Sequence, residues 1–526
     1  MLERAADKVD RSRDGSPSSD RAVASRRPVF HPIEAFRTSE RGYTFMPFRF
    51  ARLPEPDGTV LLTNDGGDYA FITETDLREL VAHRLDPISE TYQDLHARHF
   101  IAGDGRDAHL DLIAAQIRTR KSFLRDGPTL HIFVVTLRCD HSCLYCQVSR
   151  QSADAVRFDM SAATMAGAVD RLFGAPAQSL TVEFQGGEPV LAFPVVQALV
   201  EAIEARAARE DRSISFSLVS TLHHMTDEML GFCRDHRIQL STSLDGPAFI
   251  HDANRPNPTR DAHARTLAAI ERARAVVGTE NVSALTTLTR LSLGHPEAII
   301  DEYVRLGFRS IFLRPLSPYG FALRTARRTG YEMAEFIAFY RRALDHLLRI
   351  NRDGIAIEEA YTGILLNHIL TPFPTGYMDL RSPAGAGLGS LVYNYDGSVY
   401  ASDEGRMLAE ADDHRFCLGR VDQPYRELMA SEPMQWLLAA GVAETLPGCA
   451  DCAFVPYCGA DPVYHASRHD DPVGHRPTSD HCRKHTGLFE ILFGHLARRD
   501  PDTMRTFLAW MTRRSPAEIL HPGYLG

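Results

Sequence analysis

Between residues 129 and 325 short apolar runs alternate with amphipathic stretches. The runs HIFVVTL, LTVEF, SFSLVS, IQLSTSL, VSALTTL and SIFLRPL have the length and the β-branched or aromatic content of strands. Between them, MSAATMAGAVDRLFG, VVQALVEAIEARAAR and PEAIIDEYVRLG repeat apolar residues at helical spacing. Strand and helix in regular alternation predict six βα units around a parallel sheet, an α/β fold spanning residues 126–325. Six units are too few for a closed eight-stranded barrel. The pattern predicts a partial barrel or an open sheet, with active residues at the carboxyl ends of the strands.

The flanks have other patterns. Residues 1–27 are polar, charged and Ser-rich and predict a disordered tail. Over 28–125, the strand candidates YTFMPFRFARL, TVLLTN and DYAFIT are separated by Asp/Gly turns and followed by helical patterns in ETDLRELVAHRL and SETYQDLHARHF. They predict a small α+β module. Residues 326–375 read as a helical linker, and 376–490 open on a Gly-rich stretch whose Asp-Gly turn between alternating segments predicts a hairpin. Helices and a tail are expected over 491–526.

Composition narrows the class. Hydrophobic residues make up 44% and charged residues 24%, as in a soluble globular protein, and a net charge of -10 speaks against a general nucleic-acid binder. No apolar run is long enough for a bilayer, and the first 27 residues lack a signal-peptide core, so a cytoplasmic protein without a membrane partner is expected. In a reducing compartment, clustered cysteines point to metal ligands or redox groups rather than disulfides.

Cys139, Cys143 and Cys146 come directly after the first predicted strand as Cx3Cx2C. Three thiolates hold three irons of a 4Fe-4S cube and leave the fourth iron open to a ligand. A zinc ion with a distant fourth ligand fits the same spacing. The second strand ends in EFQGGEP, where Gly186 and Gly187 allow close backbone approach and Glu188 offers a carboxylate. CDHSCLYC together with the downstream GGEP resembles the radical S-adenosylmethionine (SAM) superfamily. The resemblance implies a partial (β/α)6 barrel, SAM and an open 4Fe-4S cluster on the three cysteines. It also implies that Gly186, Gly187 and Glu188 hold the methionine amine and that Tyr145 and Leu316 lie by the adenine. Ser243 and Arg255 are implied near the ribose and carboxylate.

Cys449, Cys452, Cys458 and Cys482 form a second, complete ligand set, open by residue type to a closed iron-sulfur centre or to zinc. The arrangement resembles the SPASM extension of peptide-modifying radical SAM enzymes and implies one auxiliary 4Fe-4S cluster. Pro462 stands where two-cluster relatives place a further cysteine, and the hairpin RSPAGAGLGSLVYNYDGSVYASDEGR has none. Within it, Asp403 of VYASD matches a carboxylate proposed as proton acceptor in sulfatase-maturating enzymes. Cys233 and Cys417 read as structural thiols, and His223 with His224 as a solvated loop pair.

The motifs together resemble the HxsB maturases of His-Xaa-Ser peptide systems. That resemblance implies a ribosomally made precursor peptide with His-Xaa-Ser repeats, an electron donor such as flavodoxin or ferredoxin, and room for a second radical SAM protein as partner. The 28–125 module is similar to the element that adds a leader peptide to its sheet edge. The expected activity is hydrogen abstraction from a peptide side chain to install a crosslink. Side-chain oxidation or epimerisation, or a non-catalytic iron-sulfur or zinc protein, are the alternatives.

Overall fold

The computed structural model of the chain describes residues 32–33, 42–514 and 519, so the tail expected over 1–27 lies outside the described residues. Six strands form its centre: β1 Leu130–Thr136, β2 Ser179–Gly186, β3 Ser213–Val219, β4 Gln239–Ser243, β5 Val282–Thr287 and β6 Leu313–Arg314. They lie side by side in chain order and all in parallel. Helices such as Phe193–Glu210 and Ala262–Val277 connect them. This is the open (β/α)6 arrangement that the alternation predicts. The sixth run is divided: Ser310–Ile311 pairs with Glu358–Glu359, and only Leu313–Arg314 joins β5.

A parallel sheet covered on both faces reads as a continuous apolar run. Here β2 and β3 bury every second residue instead. Val182, Phe184, Phe216 and Leu218 join the core under the helices. Glu183, Gln185 and Ser217 point the other way and stay partly accessible, which leaves one face of the sheet to a cavity.

The sheet continues beyond β1. β7 Ser390–Tyr393 pairs with β1 in parallel, and β8 Ser398–Tyr400 and β9 Cys417–Arg420 are added antiparallel, making nine strands. The predicted hairpin is therefore part of the barrel sheet. A buried hydrogen bond of 2.9 Å between His131 Nδ1 and the Tyr393 hydroxyl ties the two pieces.

The N-terminal module holds three antiparallel strands, Phe48–Arg52, Thr59–Asn64 and Tyr69–Thr73, with helices Glu74–Val81 and Glu90–Ala97. The first predicted strand breaks at Pro47, and its start, Thr44–Phe45, pairs with Ile101–Ala102. A helix at Arg106–Arg120 completes the module. In the extension, helix Asp480–Arg498 runs through residue 490, where the sequence pattern places a domain boundary. Among the described residues no helix is long and apolar enough to cross a membrane.

Candidate functional site

The loop after β1 is pinned at both ends. Arg138 grips Asp159 with two bonds, Nε to Oδ1 at 2.8 Å and Nη2 to Oδ2 at 2.7 Å. The Ser142 and Leu144 amides donate to the Pro256 and Asn254 carbonyls at 3.1 and 2.9 Å. Cys139, Cys143 and Cys146 are thus presented together, all partly accessible. Burial pushes the Cys143 thiol up to about 11 and raises that of Cys139 further. A bound cation would reverse this, since coordination strips the proton from a thiol.

Gly186 and Gly187 bring the end of β2 against this loop. Gly186 has φ +149°, and a Cβ there would stand 2.0 Å from the Thr136 carbonyl oxygen. At Gly187 it would stand 2.2 Å from that of Arg138. What the glycines admit at closest range is the backbone of the cysteine loop. Glu188 is 1% exposed, and its carboxylate accepts from Val190 N, Ser220 Oγ and Thr221 N at 3.1, 2.7 and 2.7 Å. Those bonds leave one of about four acceptor positions for a ligand.

Tyr145 and Arg255 come together in the interior. The Tyr145 hydroxyl donates to Asp245 at 2.9 Å and accepts from Arg255 Nη1 at 2.7 Å. Asp245, which the sequence motifs do not mark, is fully buried, and burial raises its carboxyl while Arg255 opposes that. Ser243 ends β4 half-buried, in register with Leu285. Of the histidine pair expected to be a solvated loop, His224 is exposed and His223 half-buried, and both have partners. His224 Nε2 meets Asp140 Oδ2 at 3.0 Å, and His223 packs against His141 at 4.7 Å between ring centres. Asp140 also meets His141 Nδ1 at 2.9 Å, so it clamps the cysteine loop to the end of β3.

A cavity of about 630 Å³ lies on the open face of the sheet. Gln147 of the cysteine loop, Glu183 and Gln185 of β2, Leu316 after β6, Asp403, and His481 beside Cys482 all line it. Leu316 and Asp403 are thus brought to one site. Asp403 begins the helix Asp403–Ala409, and its Oδ1 accepts from Arg406 Nε at 3.0 Å.

The second set gathers Cys449, Cys452 and Cys458 on one loop and Cys482 in the first turn of helix Asp480–Arg498. Burial raises the Cys449, Cys452 and Cys458 thiols, that of Cys452 to about 11, and each of these three also feels Cys482. Among the described residues, the donor sets that converge within 4.8 Å are Asp140–His141–His223 and Cys458–His481–His485. Neither cysteine set converges that closely, whereas Zn–S bonds of about 2.3 Å would place thiolates roughly 4 Å apart. Cys233 is buried on helix Asp227–Asp235, and Cys417 opens β9 half-buried.

The barrel and its cysteine loop are the radical SAM α/β fold. Residues 133–317 match the family model described as Radical SAM superfamily. The serine-type anaerobic sulfatase-maturating enzyme of Klebsiella aerogenes is 27% identical over 295 residues, which cover 54% of this chain and 67% of that one. An uncharacterized protein of Methanothermobacter thermautotrophicus is 29% identical over 191 residues, 36% of this chain and 68% of its own. Among solved structures, native anSMEcpe with bound AdoMet aligns with a TM-score of 0.59 and 18% identity over 70% of this chain and 98% of its own. The chain spans about two thirds of the length of the curated relatives it matches.

Proposed function

We propose that the chain is a radical SAM maturase that cleaves SAM reductively and abstracts hydrogen from a ribosomally made precursor peptide, installing an intramolecular crosslink. The observation that carries this reading is the cavity, which runs from the residue after Cys146 to the residue before Cys482 across the open face of the sheet. A structure of anSMEcpe with AdoMet and the Kp18Cys peptide, which shares this fold at a TM-score of 0.60, supports a peptide as substrate.

In this reading Cys139, Cys143 and Cys146 hold the open 4Fe-4S cluster, and Cys449, Cys452, Cys458 and Cys482 an auxiliary one. The Cx3Cx2C spacing of the first set and the four thiols of the second are the ligand sets these two clusters would need. Bound there, the cluster would supply the electron that breaks the S–C5' bond of SAM's sulfonium, leaving methionine and the 5'-deoxyadenosyl group that would take hydrogen from an unactivated carbon. The chain's own residues orient and shield. Glu188 keeps an acceptor position for the amino group, Arg255 and Ser243 face the carboxylate and ribose, and Tyr145 and Leu316 border the adenine. Asp403 takes up the substrate proton at the cavity wall. The reading takes a flavodoxin or ferredoxin as the electron donor, and the motifs support a likeness to the HxsB maturases of His-Xaa-Ser systems.

Anaerobic protein, reduced with dithionite and given SAM, should release 5'-deoxyadenosine. None released from protein with an intact first cluster sinks the reading. With a precursor peptide, mass spectrometry should find two hydrogens lost and fragment ions joined across the crosslink. Unjoined fragments of the same mass would mean side-chain oxidation, and unchanged mass with an altered stereocentre would mean epimerisation.

A further inference from the structure

Arg476 opens the short turn Arg476–Thr478, which leads through Ser479 into the helix that carries Cys482. Its stem reaches back to the other end of the second cysteine set. Gly448, the residue before Cys449, has φ +77°, and a Cβ there would stand 3.0 Å from Arg476 Cγ, so the glycine leaves room for this side chain. Arg476 is 7% exposed. Its Nη1 rests on the His465 ring, 2.7 Å from Nε2 and 3.0 Å from Nδ1. Nε and Nη2 are buried and, among the described residues, have no hydrogen-bond partner.

The charge of this guanidinium is unanswered. Among the described residues no carboxylate is hydrogen-bonded to any of its three nitrogens. His465 does not balance it, because burial, with Arg476 adding, lowers the ring to about 4 and leaves it neutral at neutral pH. A buried cation without a partner is costly, and its donors need acceptors. What the guanidinium does act on is a thiol: burial raises that of Cys449, and Arg476 opposes the rise. Arg49 likewise opposes burial at Cys452, but it is already paired with Asp65 at 2.6 Å. Four thiolates around an iron-sulfur cube carry a net negative charge and sulfurs that accept N–H bonds, which is the kind of partner Arg476 needs.

We propose that Arg476 is the counter-ion of the second centre, donating from Nε and Nη2 to sulfur on its Cys449 side and raising its reduction potential. The proposal rests on the auxiliary-cluster reading above and names the residue that sets the poise of that centre. Reduction adds an electron to a cluster that is already anionic. A buried cation at close range stabilises the reduced form more than the oxidised one, and away from water that preference is little screened. The arginine thus makes the second centre a better electron acceptor and leaves the first, which another loop holds, as it is. Arg476 acts through the cluster and is a positioning residue.

The test is potentiometric titration of the full-length, anaerobically reconstituted protein, followed by electron paramagnetic resonance. SAM, which docks on the first centre alone in this reading, tells the two signals apart. In Arg476→Gln the second centre should become at least about tenfold harder to reduce, a fall of about 59 mV for one electron, with the first centre unmoved. Arg476→Lys, which keeps the charge, should keep most of the wild-type potential. An unchanged potential in Arg476→Gln protein that holds about eight irons per chain overturns the proposal and leaves the cluster reading standing. An equal fall in the lysine variant overturns it too. Should both variants hold only about four irons, the wild type decides. With arginine labelled by heavy nitrogen in its guanidino group, pulsed paramagnetic resonance of the reduced second centre should show a guanidinium nitrogen coupled to the cluster, and no coupling overturns the proposal. A wild type with about four irons and one zinc ends the auxiliary-cluster reading, and the proposal with it. Formation of 5'-deoxyadenosine by the same wild-type sample tests the activity separately.

Discussion

Burial in the cavity floor raises the Glu183 carboxyl to about 7, with Asp403 adding to the shift and Arg314 opposing it. Burial favours the neutral acid in the folded chain, so the unfolded chain releases this proton first, near its ordinary value of about 4.3. Stability is therefore full below that pH and falls as pH rises through 7, by about 4 kcal/mol at most. Urea unfolding at pH 5 and pH 7.5 should show this loss, and Glu183→Gln should remove its share, leaving that of Glu404, which is also raised to about 7. Gly187→Ala should act on the metal loop instead. Its Cβ would meet the Arg138 carbonyl oxygen at 2.2 Å, so the loop must shift. The expected result is a loss of about 2 kcal/mol or more in stability, together with reduced iron at the first centre by colorimetric assay. Cysteines and glycines of this kind are legible in the sequence because their chemistry is local. Asp140 and Asp245 are not, because their partners His224 and Tyr145 lie 84 and 100 residues away along the chain.

The N-terminal sheet does more than its strand pattern announces. Thr63 Oγ1 donates to the Ala453 carbonyl at 2.7 Å, Arg49 Nε bonds that of Ala450, and the Tyr457 hydroxyl donates to the Gly67 carbonyl at 3.1 Å. The loop carrying Cys449, Cys452 and Cys458 is thus braced by strands almost 400 residues earlier. Arg49→Ala combined with Thr63→Val should loosen the second centre and leave the first. Electron paramagnetic resonance of the reduced protein would show one signal reduced by half or more, and an unchanged signal would refute the brace. Alternation makes the strands of this module legible. The helix Arg106–Arg120 is hidden in the sequence because its apolar residues do not share one face: Ile113 is buried while Leu110 and Leu112 are 38% and 39% exposed. The sixth barrel strand looks whole in sequence, but Ser310–Ile311 has a second suitor in Glu358–Glu359, which composition cannot reveal.

At the scale of the whole molecule the two cysteine sets predict an iron count. Two 4Fe-4S centres require about eight irons per chain. Cys449→Ser with Cys452→Ser should bring the count to about four, and a lone zinc in the second site would instead show as one divalent ion by mass spectrometry of the metal. The barrel is legible from the rhythm of its units, whereas the attachment of the hairpin is not. β7 joins β1 across 260 residues through backbone bonds that any side chains of strand type can make.

That junction has a price for anyone who wishes to isolate the barrel. A fragment ending at residue 325 would carry β1 with a bare flank of unpaired amides and carbonyls, the kind of surface that recruits foreign strands. It should elute in the void volume on gel filtration, while a version retaining residues through the β9 strand should not. The barrel segment is in this sense unfinished without its C-terminal neighbour.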